Sequence, residues 1–175
     1  MKKTVAIFGS LLLSLLMLIC GCGERETYEI KECQLSSFTA ETLDGKIINQ
    51  SVYGNSKVTM INVWGTFCEP CKEEIPALNE LDSEYPDADF QIIGIPINSS
   101  RKFDPDAVIF LRENGVAYTN IKVSNSVKPF LDSITSVPYT IFINAEGNQI
   151  GGAYAGSKTK KEWKKTIDAI LEFLK

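Results

Sequence analysis

Histidine is absent from this chain of 175 residues, and the absence removes several kinds of chemistry. A Ser-His-Asp triad, a His-ligated zinc site and a covalent c-type haem site are all excluded; the last needs Cys-x-x-Cys-His where this chain has Lys72. Acid–base work must fall to carboxylates, Lys, Tyr, Cys or water. Positive charge is also short. Lys and Arg number 18 against 22 Asp and Glu, a net charge of −4, and without Lys2 and Lys3 the balance is 16 against 22, or −6. Nucleic acid is therefore not expected as a partner, because phosphate binding needs a basic surface. There is no internal repeat and no low-complexity segment. With 44% hydrophobic residues, the chain has enough apolar material for one ordinary globular core.

Only the N-terminus carries a long apolar run. Met1-Lys2-Lys3 is a short basic region, followed by a nearly uncharged stretch from Thr4 to Ile19. That is short for a membrane span, which needs about 20 apolar residues, and suits a signal peptide. It ends in Ile19-Cys20-Gly21-Cys22, similar to a bacterial lipoprotein signal with Cys22 as the lipidated residue; bulky Ile19 makes Cys20 a poorer choice. An uncleaved hydrophobic anchor is the alternative. Both place the domain outside the cytoplasmic membrane, where disulfide chemistry is permitted, and two acyl chains on Cys22 suffice for stable anchoring. The expected organisation is a leader over 1–21, a polar tether over 22–37 and one domain over 38–175.

The most informative segment is Trp64-Gly-Thr-Phe-Cys68-Glu69-Pro70-Cys71. It joins an apolar, β-branched run (Val58 to Trp64) to an amphipathic stretch beginning at Pro70. A thiol on the first turn of a helix faces unpaired N–H groups and the positive end of the macrodipole, which favours thiolate. The second sulfur can reach back to the first, so the placement predicts a reversible redox couple. A permanently closed structural disulfide is the competing reading. Zinc is weaker, because a second ligand pair is missing; no metal and no cofactor beyond the redox-active Cys68–Cys71 disulfide is expected.

Phe38 to Ile48 predicts a β-hairpin turning at Asp44-Gly45. Strands are expected at Val58–Trp64, Phe90–Ile97 and Tyr118–Val123, with a second hairpin, Tyr139–Asn144 and Gln149–Tyr154, around Glu146-Gly147-Asn148. Helices are expected from Pro70 to about Tyr85, kinked at Pro76, and from Asp104 to Asn114, with Asp104 as N-cap and Pro105 at the first helical position. A short helix over Val127–Ile134 and a last one over Lys158–Leu174, with Trp163, Ile167, Ile170, Leu171 and Leu174 inward, complete the pattern. This order predicts an α/β fold, a central mixed β-sheet flanked by helices.

Trp64-Gly-Thr-Phe-Cys68-Glu-Pro-Cys71-Lys-Glu-Glu-Ile-Pro76, followed later by Val137-Pro138-Tyr-Thr140, resembles the thioredoxin superfamily. Within it the chain is most similar to the TlpA/ResA/DsbE group of membrane-tethered thiol–disulfide oxidoreductases. The similarity runs from about Phe38 to the C-terminus and includes the extra N-terminal β-hairpin and a central helix–strand insert after Ile97. The resemblance implies a thioredoxin-like fold with a cis Val137-Pro138 bond beside the dithiol. That bond would leave the Val137 backbone free to pair with an extended substrate segment and keep a main-chain amide from competing for Cys68.

It also implies roles. Cys68 is the expected nucleophile and the more exposed sulfur; Cys71, one turn inside, is the expected resolving thiol. Thioredoxins place a buried Asp two residues before the Trp, where this chain has Asn62, which cannot titrate. Glu74 returns to the side of Cys71 one turn later and takes over by resemblance, as a partly buried carboxylate of raised pKa that accepts or donates the proton. A solvated surface charge is the competing reading for Glu74. Glu69 opposes the helix's effect on the Cys68 thiolate, Pro70 stiffens the turn, and Trp64 is expected to shield the dithiol and offer an apolar docking surface or to be plain core. Cys33 is expected as an exposed, unpaired thiol in the tether or at the domain edge, or else disulfide-bonded to another chain or to the active site.

The function so implied is that of an extracytoplasmic, membrane-anchored, monomeric enzyme reducing selected protein disulfides. A substrate protein with a disulfide and a CcdA/DsbD-type membrane electron donor would be its partners. Substrates of the kind implied are apocytochrome c, in cytochrome c maturation, or a secreted redox-repair enzyme. The alternatives are a disulfide-donating oxidase and a non-catalytic binding lipoprotein. A peroxiredoxin is disfavoured, since Asn62 and Val63 stand around where the proline of Pro-x-x-x-Thr-x-x-Cys should lie.

Overall fold

The computed structural model describes residues 28–175; the leader and Cys22 lie outside the described residues. A six-stranded mixed sheet runs in the order β1-β8-β7-β4-β5-β6. Its strands are β1 (Ile30–Lys31), β4 (Val58–Trp64), β5 (Phe90–Pro96), β6 (Thr119–Asn120), β7 (Tyr139–Asn144) and β8 (Gln149–Ala155). A separate hairpin is formed by β2 (Thr39–Glu41) and β3 (Ile47–Asn49), closed at Gly45 with φ 88°. Helices α1 (Glu69–Glu84), α2 (Asp106–Glu113), α3 (Lys128–Asp132) and α4 (Lys160–Phe173) fill the connections and the end of the chain.

β4 is central: it pairs in parallel with β5 and antiparallel with β7. All seven of its residues are buried, as a strand covered on both faces must be. Because side chains alternate across a strand, its two faces serve different cores. Ile61 and Val63 join Ile93, Ile95, Ile141 and Ile143 beneath the hairpin and α3. Met60 joins Leu78, Leu81, Phe142, Trp163 and Ile167 beneath α1 and α4. Asn62 and Trp64 follow Met60 on the second face, which is also the face of α1.

Three expectations need correction. The segment 22–37 is not all tether: β1 pairs with β8, with Ile30 opposite Ile150, and Cys33 and Leu35 are buried in the core. The folded domain therefore begins before residue 38. Cys33, at 3% exposure, is not a surface thiol. The Leu35 N–H donates to its Sγ at 3.3 Å, Tyr53 Oη–H donates to the Leu35 carbonyl, and burial pushes the thiol pKa up. Next, the strand expected over Tyr118–Val123 shrinks to Thr119–Asn120; beyond it Ile121 N still donates to Gly94 O of β5, while Asn120 O and Lys122 N bond the hairpin (Leu43 N to Asn120 O, Lys122 N to Glu41 O). The expected cap of α2 is present: regular helix is counted from Asp106, but Pro105 already has helical φ −64° and ψ −30° and the Asp104 Oδ1 accepts from Asp106 N at 3.2 Å; its other oxygen reaches elsewhere, as described below. α1 runs unbroken through exposed Pro76.

Asp82 fastens α1 to the sheet: its Oδ1 accepts from Ile92 N at 3.0 Å. Burial, with a lesser push from Asp87, raises its pKa to about 6. A carboxyl whose folded pKa lies above its unfolded value of about 4 stabilises fully below pH 4, and that contribution is lost as pH rises through 6. Asp82→Asn keeps the acceptor without the charge. Between pH 4 and pH 7 the wild type should lose on the order of 1 to 2 kcal/mol relative to this variant, measured by urea denaturation; parallel stability curves would contradict it.

Candidate active site at the start of α1

The chain leaves β4 at Trp64 and enters α1 at Glu69, so only a tight turn separates the most buried strand from a helix N-terminus. Gly65 makes that turn possible. A Cβ there would lie 2.4 Å from the Ile97 carbonyl oxygen and 2.5 Å from the Phe67 ring. Thr66 is pinned by Asp104, whose Oδ2 accepts from Thr66 N at 3.0 Å and from its hydroxyl at 2.7 Å. The turn before the cysteines is thereby tied to the chain leading into α2.

Cys68 is the N-cap residue of α1 and is joined to Cys71 by a disulfide. The Cys71 N–H donates to Cys68 Sγ at 3.3 Å, so one of the helix's otherwise unpaired amides points at this sulfur. Pro70 occupies the first turn, where its missing N–H costs nothing. Cys68 keeps 8% exposure while Cys71 is fully buried; only Cys68 can be reached from outside. Glu69 is exposed and paired with Lys72 at 2.6 Å. The Val137–Pro138 bond is cis, and the Val137 carbonyl oxygen lies 3.5 Å from Cys68 Sγ.

Trp64 departs from the docking role. It is fully buried, its Nε1–H donating to Asn120 Oδ1 at 3.2 Å, so it packs behind the dithiol and has no surface to offer a partner. The exposed ring at the site is Phe67, at 56%, a residue that sequence reasoning passed over. Phe67, Cys68 and Pro70 form one side of a cleft of about 460 Å³ whose other walls include Ile97, Arg101 and Val137.

Glu74 is buried, at 3% exposure, on α1 one turn after Cys71. Its Oε1 accepts from Trp163 Nε1 at 2.6 Å and from Lys158 N at 2.8 Å; Asn62 Nδ2 stands 3.5 Å from Oε2 and donates to Thr140 Oγ1 at 3.1 Å. Burial raises the Glu74 pKa, and the donors from Lys158, Trp163 and Asn62 only partly oppose it. Asn62 Oδ1 is buried without a donor. Turning the amide over would set that oxygen against Oε2, where a protonated Glu74 can donate to it, so the site accommodates either charge state. Trp163 and Lys158 were not foreseen here; the Thr159-x-x-Glu162 capping box, which fixes the start of α4, is the signal that places them.

Residues 32–166 match the AhpC/TSA family. The chain belongs to that family. It is 26% identical over 174 residues to the thioredoxin-like protein YneN of Bacillus subtilis (strain 168), covering 96% of this chain and 98% of that one. It is 27% identical over 146 residues to the thiol-disulfide oxidoreductase ResA of Halalkalibacterium halodurans, covering 81% of this chain and 76% of that protein. Among solved structures, a thioredoxin-family thiol:disulfide interchange protein from Chlorobium tepidum TLS superposes with a TM-score of 0.64 at 26% identity, over 77% of this chain and 93% of that one. The fold is thioredoxin-like. With Cys68 and Cys71 at disulfide distance, this AhpC/TSA member is a thiol–disulfide oxidoreductase of the ResA/DsbE type.

Trp163→Phe removes one of the two short hydrogen bonds to the Glu74 carboxylate and pushes its pKa further up. The stability lost should be about 1 to 2 kcal/mol greater above the raised pKa of this carboxyl, where the charge must be buried, than below it, where it need not be. Chemical denaturation across a pH series measures this; a loss that does not change with pH would show that the indole supports packing alone.

Proposed function

We propose that this protein is an extracytoplasmic reductant of selected protein disulfides, held at the membrane by lipid on Cys22. The observation that carries the reading is the asymmetry of the pair: Cys68 opens onto a cleft beside the Val137 main chain, while Cys71 is sealed beneath it. In the reduced protein the Cys68 thiolate, favoured by the α1 N-terminus and the Cys71 amide, attacks a substrate disulfide. One substrate sulfur leaves as thiolate and a Cys68–substrate mixed disulfide forms. Cys71 then loses its proton and attacks Cys68 Sγ, forming the Cys68–Cys71 disulfide and releasing the second substrate sulfur. Two electrons pass to the substrate, whose two sulfurs leave as thiolates and take protons from water, the Cys71 proton goes to an acceptor in the site, and a CcdA/DsbD-type membrane dithiol restores the pair.

The proton on Cys71 needs an acceptor in a dry site. Asn62 cannot titrate, and we assign the step to Glu74; its position one helical turn after Cys71, its burial and its raised pKa support the assignment. Substrates of the apocytochrome c kind, or a secreted redox-repair enzyme, suit a dedicated enzyme on a membrane tether.

Cys71→Ser blocks resolution and should accumulate mixed disulfides through Cys68, recovered by non-reducing electrophoresis and lost in the Cys68→Ser/Cys71→Ser double variant. Glu74→Gln should slow resolution and flatten its pH profile, measured by stopped-flow fluorescence; an unchanged profile removes Glu74 from the proton path. A reduction potential near that of DsbA, about −120 mV, would reverse the direction of electron flow.

A further inference from the structure

We propose that Arg101 selects substrates carrying an acidic side chain next to the reacting cysteine, a specificity that rests on the reading of this chain as a protein-disulfide reductant. Arg101 sits in a tight loop between β5 and α2, closed by the Ile97–Phe103 bridge. Asn98 organises the loop. Its Oδ1 accepts from Ser100 N at 2.9 Å and Lys102 N at 3.1 Å, its N–H donates to Lys102 O, and its carbonyl accepts from Arg101 N. These bonds hold Arg101 at φ 56°, the one positive φ at a non-glycine residue among the described residues. A side chain in the left-handed region is disfavoured, and here it is an arginine that stands on the cleft wall.

The guanidinium is anchored but not neutralised. Nη1 donates to the Asp132 carbonyl at the end of α3, at 3.1 Å, which spans the gap between the loop and the segment leading to Val137. One N–H of five is thereby used, and among the described residues no carboxylate lies within ion-pairing distance. Asp132 has its own partner in Lys128. The other charged residue lining the cleft, Glu69, is paired with Lys72. The cleft beside Cys68 thus holds a single uncompensated positive charge, on a protein that is acidic overall. Phe67, Ile97, Ile134 and Val137 line the same cleft, and apolar walls strengthen an ion pair formed against them.

A substrate segment held in extended form beside Val137, with its cysteine joined to Cys68, passes along this wall. A flanking Asp or Glu meets the planar fork of Arg101, which matches a carboxylate in two-point contact. A flanking Lys or Arg meets like charge, so the same residue attracts one class of disulfide and repels another.

The test uses the reduced full chain in detergent and three disulfide peptides, identical except for Glu, Gln or Lys beside the cysteine. Second-order reduction rates are each divided by the rate with dithiothreitol, which removes intrinsic reactivity. The wild type should reduce the Glu peptide about tenfold faster than the Gln peptide and the Lys peptide slowest. Arg101→Gln, and Arg101→Gly, which suits the positive φ, should bring the ratios to near one, and Arg101→Glu should invert the order. A role confined to holding the loop would slow all three peptides equally and leave the ratios intact, and that result, like a wild-type ratio near one, overturns the proposal while leaving the reductant reading standing. Reduction of none of the peptides overturns both.

Discussion

A carboxylate buried one helical turn after a dithiol, away from water, must be held by donors or give up its charge, and the architecture around Glu74 answers that constraint. The donors come from distant parts of the chain: Asn62 from β4, Lys158 from the turn before α4, and Trp163 from α4 itself. Meeting them requires α4 to start where it does, which the Thr159–Glu162 capping box secures. It also requires α1 to present the face bearing Cys71 and Glu74 toward the sheet. Aligned in this way, the two helices bury Leu78, Leu81, Ile167 and Ile170 together. Redox site and core on this side of the sheet are one packing problem.

On the other side of the dithiol, the polar contacts work on the backbone. Asp104 holds Thr66, and the main chain at Trp64 accepts from Ile97 N at 2.8 Å. The segment before the cysteines is thus clamped to the chain entering α2, and the same stretch carries the loop with Arg101. Geometry at Cys68 and the character of the cleft wall are coupled through about ten residues of backbone, the region in which the sequence departs most from a plain alternation of strand and helix.

Much of this was legible from the sequence, for identifiable reasons. Val58–Trp64 and Phe90–Pro96 are nearly continuous apolar runs and fold as the two central parallel strands. The cysteines, the cis proline site and Glu74 stand in motifs whose spacing carries meaning. What escaped was set by contacts across long separations. Cys33 and Leu35 lie alone in a polar stretch, so no periodicity marks them, yet each fills a place in the core beneath the hairpin. Trp163 shows as an inward residue of an amphipathic helix, but its hydrogen bond to a group 89 positions away leaves no local trace. Of the two readings open for Trp64, docking surface or plain core, the core one holds, while Phe67, three residues on, has the exposed ring.

One contact behind the site links the histories of separate positions. Gly94 lies beside Asn62 in the β4–β5 register, and a Cβ on it would fall 2.0 Å from Asn120 Oδ1, the atom that accepts from the Trp64 indole. A larger residue at 94 therefore displaces Asn120 and leaves the Trp64 N–H buried without an acceptor. Substitution at any one of the three is penalised until the others change, so in related chains positions 64, 94 and 120 should vary together or stay fixed together, forming an evolutionary unit spread across three strands.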